Sequence, residues 1–537
     1  MTDNRQTQPP VELDVLIVGA GVAGIHQLAL ARENGLNARV VDEADGVGGT
    51  WFWNRYPGAR LDSESYSYGY FFDEQLRKEW SWSEEFVGQP ELERYFNAAV
   101  DRMGLRDSID LGVRVVGADF DEKNNYWTIR CESGAVYVAR VLISAVGLLS
   151  APQYPRVPGL ERFTGESHHT ARWPKEPVDF HGKRVAVIGT GSSGVQIITE
   201  IAPQVERLYV LQRTPNWCTP INNREIDAAR MQALRDSYDQ IHQTCMTSPQ
   251  AFIHTPRPEG ALDVTERERI EYLQQLWDAP GMTMYVKNFR DILTSQAAND
   301  AVSDFIAQKI KDRVRDPAIA EKLIPADHGF GMKRPVLENG YYEVFNRPHI
   351  ELVDMGTEPL LEVTEHGLRT SARELEVDVV VYATGFDAVT GSIVRLGVRG
   401  TNGQTLGDYW TDGPQTNLGM MVHGFPNFFI IGGPHGPTGN NPRASEFQVQ
   451  WVTSCLRHMR EHSLSRIETT REAEREWVRH VNGTIRGTLT ENANSWGFGS
   501  NVPGKPRAYL LYGGGQPLYR AQCREVADRS YAGLTLS

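Results

Sequence analysis

Two segments of the chain run apolar and β-branched straight into glycines. Residues 13–18 (LDVLIV) stop at Gly19, and residues 183–188 (KRVAVI) stop at Gly189. An apolar run of this length, without alternation, fits a strand buried on both faces, as in a parallel sheet. A helix-forming stretch follows each, so the pattern predicts two strand–turn–helix units. Further strand-like runs lie at 138–146, 208–211, 377–383 and 428–432, which predicts an α/β fold. Over 221–328 the texture changes. Charged helix formers dominate (VTERERIEYLQQLW, VSDFIAQKIKDRV), predicting a helical insertion before strand character returns near Ile350. A second helical stretch is expected over 465–491, ahead of a Gly/Pro/Asn-rich segment (SWGFGSNVPGKPR).

Composition narrows the possibilities. With 537 residues, 40% of them hydrophobic, the chain can bury more than one core. A formal net charge of -13 gives no global attraction to nucleic acid or to an anionic membrane, so any anion site must be built locally. No apolar run is long enough to span a bilayer, and the polar stretch MTDNRQTQPPVELD does not read as a secretory signal. Cys131, Cys218, Cys245, Cys455 and Cys523 are scattered and never form a CxxC pair. A thiol redox pair is thereby excluded, and a reducing, cytoplasmic setting is expected.

The glycines carry the chemistry. Gly19, Gly21 and Gly24 have GxGxxG spacing between a strand and a helix. The first permits the tight turn, the second lets backbone N–H groups approach a pyrophosphate, and the third lets helix and strand pack closely. The next strand ends at Asp42, where a carboxylate can accept hydrogen bonds from ribose hydroxyls. Gly189, Gly191, Ser192 and Gly194 repeat the pattern, but the strand after them runs into Arg213 and Thr214. A carboxylate there would repel a 2′-phosphate, whereas a guanidinium binds it bidentately. The first unit therefore suits FAD and the second NADPH. The run VDVVVYATGFD (377–387), a strand ending in Ala383-Thr384-Gly385 of the kind that closes two-dinucleotide flavoenzymes, supports FAD as one of the cofactors, its small residues letting the chain pass near a cofactor.

The linker between the units reads Phe163-x-Gly165-x-x-x-His169-x-x-x-Trp173-Pro174. Together with Gly48-Gly49-Thr50-Trp51, Arg55-Tyr56-Pro57-Gly58 and Asp62, it resembles the signature of type I Baeyer–Villiger monooxygenases over almost the whole chain. That resemblance implies two Rossmann-like dinucleotide-binding domains, for FAD and NADPH, with a helical insertion in the NADPH domain. The expected divisions are 1–150 and 387–537 for FAD, 151–220 and 329–386 for the linker and NADPH, and 221–328 for the insertion. It further implies a reaction in which a ketone, O2 and NADPH give an ester or lactone by way of a C4a-peroxyflavin.

By the same resemblance Arg334 is catalytic and Asp62 is its carboxylate partner. Gly49, Thr50, Trp51, Tyr56 and Asp62 are expected around the flavin. Gln196 is expected beside the nicotinamide phosphates, with Lys333 on the 2′-phosphate and Trp496 in a mobile loop reaching the cofactor–substrate region. His169 and Trp173 are expected to couple domain motion. Family members often carry Glu where this chain has Asp42, which leaves Asp42 and Glu43 both open as the ribose ligand. LDSESYSYGYF, RTPNWCTP and GGQPLYRAQC point toward cyclic or bulky ketones. Oxidation of a nitrogen or sulfur nucleophile is the alternative enzymatic reading. No metal, nucleic acid or membrane partner is expected, and the oligomeric state is not legible.

Overall fold

A computed structural model of the chain describes residues 11–537; the polar stretch 1–10 lies outside the described residues. The central strand Val11–Val18 pairs in parallel with Ala38–Asp42 on one side and Val136–Ser144 on the other. Its side chains alternate between two cores. Val15 and Ile17 face one, packing with the helix Val22–Glu33 and the long helix Asn441–Glu461, while Leu16 and Val18 face the other. That two-sided burial is why the run is apolar throughout. Ala38–Asp42 continues to Ile109–Leu111. Beyond Val136–Ser144 the sheet turns antiparallel through Tyr126–Cys131 and Val115–Asp121. The late strand Phe428–Ile430 pairs with residues 142–144, so the chain returns to this sheet near its end.

The second sheet is wholly parallel, in the order Ile350–Asp354, Arg207–Gln212, Arg184–Ile188, Val379–Tyr382, Glu166–His169. Arg184–Ile188 alternates in the same way, Val185 and Val187 to one core, Ala186 and Ile188 to the other. Linker residues 166–169 thus form the edge strand of this sheet.

Four helices of the stretch 221–328 begin on side-chain caps. Asp227, Ser295 and Asp316 each accept from a first-turn N–H, and Thr265 forms a reciprocal capping box with Glu268. They do not act as one insertion. Met231, Leu234 and Tyr238 of Ala228–Thr247 pack into the core of the first sheet, whereas Leu276, Val302 and Ile306 of the later helices join the second.

Val379–Tyr382 lies in register with Val185–Ile188 and closes the second unit, within the division 329–386. One expectation changes. The stretch 465–491 begins not as helix but as a strand, Ile467–Thr469, paired with Leu534–Leu536; the helix is Arg471–Ile485. The partner strand comes from the chain's last residues, beyond the reach of any local window.

Candidate active site

The two glycine turns are built alike. Gly19 and Gly189 have φ of +114° and +108°, and a Cβ on them would stand 2.5 Å from the carbonyl oxygen of Ala145 and 2.4 Å from that of Ala383. A Cβ on Gly24 or Gly194 would meet the carbonyl oxygen of Gly19 or Gly189 at 1.8 and 2.1 Å. Ala383-Thr384-Gly385 therefore does for the second turn what Ala145-Val146-Gly147 does for the first. Both helices start on a glycine without a side-chain cap, which leaves first-turn N–H groups free for an anion. In the first unit Gly49 (φ +57°) lies against Gly21, where a Cβ would come within 2.9 Å of the Gly21 Cα. The Gly48-Gly49-Thr50 turn thus caps the mouth of that cradle. Glycine-only surfaces with uncapped helix ends fit a dinucleotide pyrophosphate in each unit.

The acids and cations after the turns differ in their commitments. Asp42 accepts from the Ala20 N–H at 2.6 Å and the Ala44 N–H at 2.8 Å, pinning the glycine turn to the strand end. Burial raises its pKa against those two bonds. Glu43 points outward and pairs with Arg172 of the linker at 2.6 Å. Arg213 and Thr214 are exposed, and among the described residues Arg213 makes no ion pair. Gly191 and Ser192 are exposed as well.

Between the units sits a charged pair. Arg334 donates from Nε and Nη2 to Asp62 Oδ2, at 3.1 and 2.8 Å. Burial works to lower the arginine's pKa, and the charge and hydrogen bonds of Asp62 outweigh it, so the net shift is upward. Asp62 caps no helix; Glu64 holds that place before Ser65–Tyr68. The Arg334 carbonyl accepts from Asn216 Nδ2 at 3.1 Å, and its guanidinium lies 5.8 Å from the Phe252 ring centre. Asn216 lies within RTPNWCTP but drew no role of its own there, and no motif contains Phe252. Lys333 is held by Asp327 at 3.1 Å.

Trp51 is buried and donates Nε1 to the Tyr68 hydroxyl at 3.0 Å, while its carbonyl accepts from Gln89. Tyr56 and Gln196, expected beside different cofactors, are brought onto each other: the Tyr56 hydroxyl donates to Gln196 Oε1 at 2.7 Å. Trp173 packs edge-on to Tyr56. His169 is buried, and burial lowers its pKa to about 4. Its Nδ1 accepts from the Ala171 N–H at 3.0 Å, so Nε2 carries the proton toward the Gln153 carbonyl. Thr384 donates to the same carbonyl, joining the linker to the Ala383–Gly385 turn. The Trp496 segment docks just beyond. Trp496 packs on Ala388, Val389 and Leu510, Lys505 Nζ holds Asp387 at 2.7 Å, and Asn501 donates to the Phe386 carbonyl at 2.7 Å. Lys505 and Asp387 were missed because their pairing spans more than a hundred residues.

Two paired nucleotide cradles bridged by a buried-edge arginine define a flavoprotein that works with a pyridine nucleotide. The profile of the pyridine nucleotide-disulphide oxidoreductase family matches residues 16–255. The five cysteines are all buried and free, so that likeness is one of fold and not of disulfide chemistry. The chain is 42% identical to the 2-oxo-Δ3-4,5,5-trimethylcyclopentenylacetyl-CoA monooxygenase of Pseudomonas putida, over 99% of this chain and 100% of that one. It is 41% identical to a Baeyer–Villiger monooxygenase of Pseudooceanicola batsensis (99% and 98% covered) and 40% identical to a phenazine N-monooxygenase of Lysobacter antibioticus (100% and 98%). The crystal structure of OTEMO in complex with FAD and NADP superposes with a TM-score of 0.95 at 41% identity, covering 99% of this chain and all of that one. The chain belongs to the Baeyer–Villiger monooxygenase family, flavoenzymes of FAD and NADP(H). No helix among the described residues is long and apolar enough to cross a membrane.

Proposed function

We propose that the enzyme inserts one oxygen atom of O2 beside the carbonyl of a cyclic or bulky ketone, giving an ester or lactone with NADP⁺ and water. The observation that carries this reading is the Arg334–Asp62 pair at the seam of the two units. Arg334 uses Nε and Nη2 on Asp62, and among the described residues Nη1 donates to no protein atom. A fixed cation with a spare donor is suited to orient a carbonyl oxygen and to stabilise the negative charge that develops on it. Asp62 holds the guanidinium in place and charged. FAD, when bound, supplies the redox chemistry, taking hydride from NADPH and activating dioxygen.

The nucleotide assignments follow from the same side chains. Asp42, aimed into the first glycine turn, is the better ribose ligand for FAD, since Glu43 is spent on Arg172. Gly49, Thr50 and Trp51 line that cradle. Arg213 and Thr214 would take the 2′-phosphate of NADPH, with Lys333 reachable once it leaves Asp327. His169, neutral and tied to Gln153 and Thr384, serves the linker and not proton transfer. Trp496 belongs to the segment that covers the cofactors. The divisions near 150, 220, 328 and 386 remain our reading of the domains, and the reducing cytoplasm suits the free thiols.

A second reading, N-oxygenation, draws on the phenazine N-monooxygenase relative. The deciding experiment supplies NADPH, O2 and panels of cyclic, linear and aryl ketones beside aromatic and tertiary amines. Lactones or esters from the cyclic ketones are expected. Unchanged ketones with N-oxides formed instead would overturn the proposal in favour of the second reading.

A further inference from the structure

The segment that carries Asp62 is gripped by the helix of the other unit. After the short helix Thr50–Trp53, residues 55–62 cross the face of Ser192–Ile201. Gly58 makes the closest approach: its φ is +81°, and a Cβ there would stand 2.9 Å from the backbone oxygen of Gln196. Tyr56 donates to Gln196 Oε1 at 2.7 Å, and Gln196 Nε2 donates to the Arg60 carbonyl at 3.2 Å. That carbonyl can only accept, which fixes the orientation of the amide. Tyr56 and Ala59 are buried in the core of the second unit, although Trp51 and Leu61 on either side belong to the core of the first. On its other flank the segment bonds back to the first unit, with Gln89 N–H on the Ala59 carbonyl at 2.8 Å and Leu61 N–H on the Val87 carbonyl at 3.1 Å. Asp62 comes next in the chain. It is therefore suspended between an anchor on each unit, and the anchor on the second passes through Gln196.

We infer that Tyr56 and Gln196 are positioning residues that transmit the setting of the coenzyme helix to Asp62, and through it to Arg334. Gln196 lies little more than one turn from the helix end where a pyrophosphate would seat. Any adjustment of that helix on coenzyme binding moves both hydrogen bonds together, because both are made by the one Gln196 amide. The side chains of both residues are then occupied with each other and not with a nucleotide. The inference rests on the proposed roles of Asp62 and Arg334.

The test uses the FAD-loaded protein with and without NADP⁺, as wild type, Tyr56→Phe, Gln196→Met and Gln196→Glu. Amide hydrogen exchange is read over residues 59–62 and 189–195. In the wild type NADP⁺ slows exchange in both stretches. In Tyr56→Phe and Gln196→Met the slowing persists over 189–195 and is lost over 59–62. Gln196→Glu still accepts from Tyr56 but has no donor for Arg60, so it behaves as Gln196→Met. In turnover, oxygenated product per NADPH falls about tenfold, the effect of roughly one hydrogen bond, and outruns any change in the KM for NADPH. The double variant falls no further than either single one, since the two side chains act as a unit. Retained NADP⁺-dependent slowing over 59–62 in the variants would overturn the relay, as would a loss of product that only tracks a raised KM. Should the wild type oxygenate nothing, the functional reading falls while the exchange result still decides the relay.

Discussion

Arg334 gives two donors, Nε and Nη2, to one oxygen of Asp62, at 3.1 and 2.8 Å. The pairing fixes one edge of the guanidinium and leaves the other free. Asp62 ends the segment 55–62, and Arg334 sits on the loop before the strand Val336–Glu338. The cation therefore depends on both halves of the molecule for its place.

Arg334→Ala removes the donor that would face the carbonyl oxygen. Ester or lactone formation is expected to fall by about 10²–10³-fold, the usual cost of losing one such stabilising donor. Anaerobic reduction of the flavin by NADPH should persist, because that step does not use the group. Stopped-flow bleaching and gas chromatography of products separate the two steps. Asp62→Asn, which keeps an acceptor, should lose less product than Asp62→Ala. Unimpaired oxygenation by Arg334→Ala would remove our role for the arginine.

Arg213 ends the strand Arg207–Gln212 exposed and uncommitted among the described residues. A charge-assisted bond to a 2′-phosphate contributes about 1.5–3 kcal/mol, or roughly 10- to 100-fold in affinity. Arg213→Ala should raise the KM for NADPH by that factor and leave the KM for NADH nearly unchanged. Equal effects on both coenzymes would show that the guanidinium does not read the 2′-phosphate.

Much of this was legible in local pattern. Apolar runs ending at Gly19 and Gly189 locate both central strands, and the difference between Asp42 and Arg213 separates the units. What pattern does not carry is contact between sequence-distant side chains. Asp62 and Arg334 lie 272 residues apart and were linked only through the family resemblance. Tyr56 and Gln196, 140 apart, each read as a ligand of its own cofactor until packing placed them together. The run 377–387 reads as a strand and a turn from its own residues, but only the family resemblance placed it with the second unit, because which sheet a buried parallel strand joins is set by register with strands elsewhere in the chain. Ile467–Thr469 was lost in a helical window for the same reason.

Four histidines are buried and contribute to the acid limb of stability, His328 among them with its pKa lowered by burial. Burial lowers His26, His169 and His435 to about 4 each. In the unfolded chain they titrate near 6.5, so between about pH 6.5 and 4 the unfolded state binds more protons than the folded one. Their contribution is complete above that window and is lost as pH falls through it, at up to about 1.4 kcal/mol per unit for each histidine. Burial alone would raise Glu446, but the adjacent Arg443 holds it down at about 2, so its contribution is complete above its ordinary value of 4.5 and is lost as pH falls from there toward 2, continuing the decline that the histidines begin. Chemical denaturation across the window should give a steep fall for the wild type and a shallower one for His435→Asn. An unchanged slope in that variant would contradict the assignment.

The two fingerprint glycines allow the cofactors to be assigned to their units independently. A Cβ on Gly24 would lie 1.8 Å from the Gly19 oxygen, and one on Gly194 2.1 Å from the Gly189 oxygen. These neighbours are backbone, so each substitution must displace the glycine turn from its strand. Gly24→Ala should yield protein that has lost its yellow colour, with the flavin absent from the purified chain. Gly194→Ala should stay yellow and be reducible by dithionite, yet show little reduction by NADPH and no thermal shift with NADP⁺. The stabilisation that a ligand confers scales with its concentration over Kd, so a titration of melting temperature against NADP⁺ reads the loss directly. If Gly194→Ala is the colourless variant and Gly24→Ala the yellow one, FAD and NADPH sit in the opposite units, and the meaning given to Asp42 and Arg213 reverses with them.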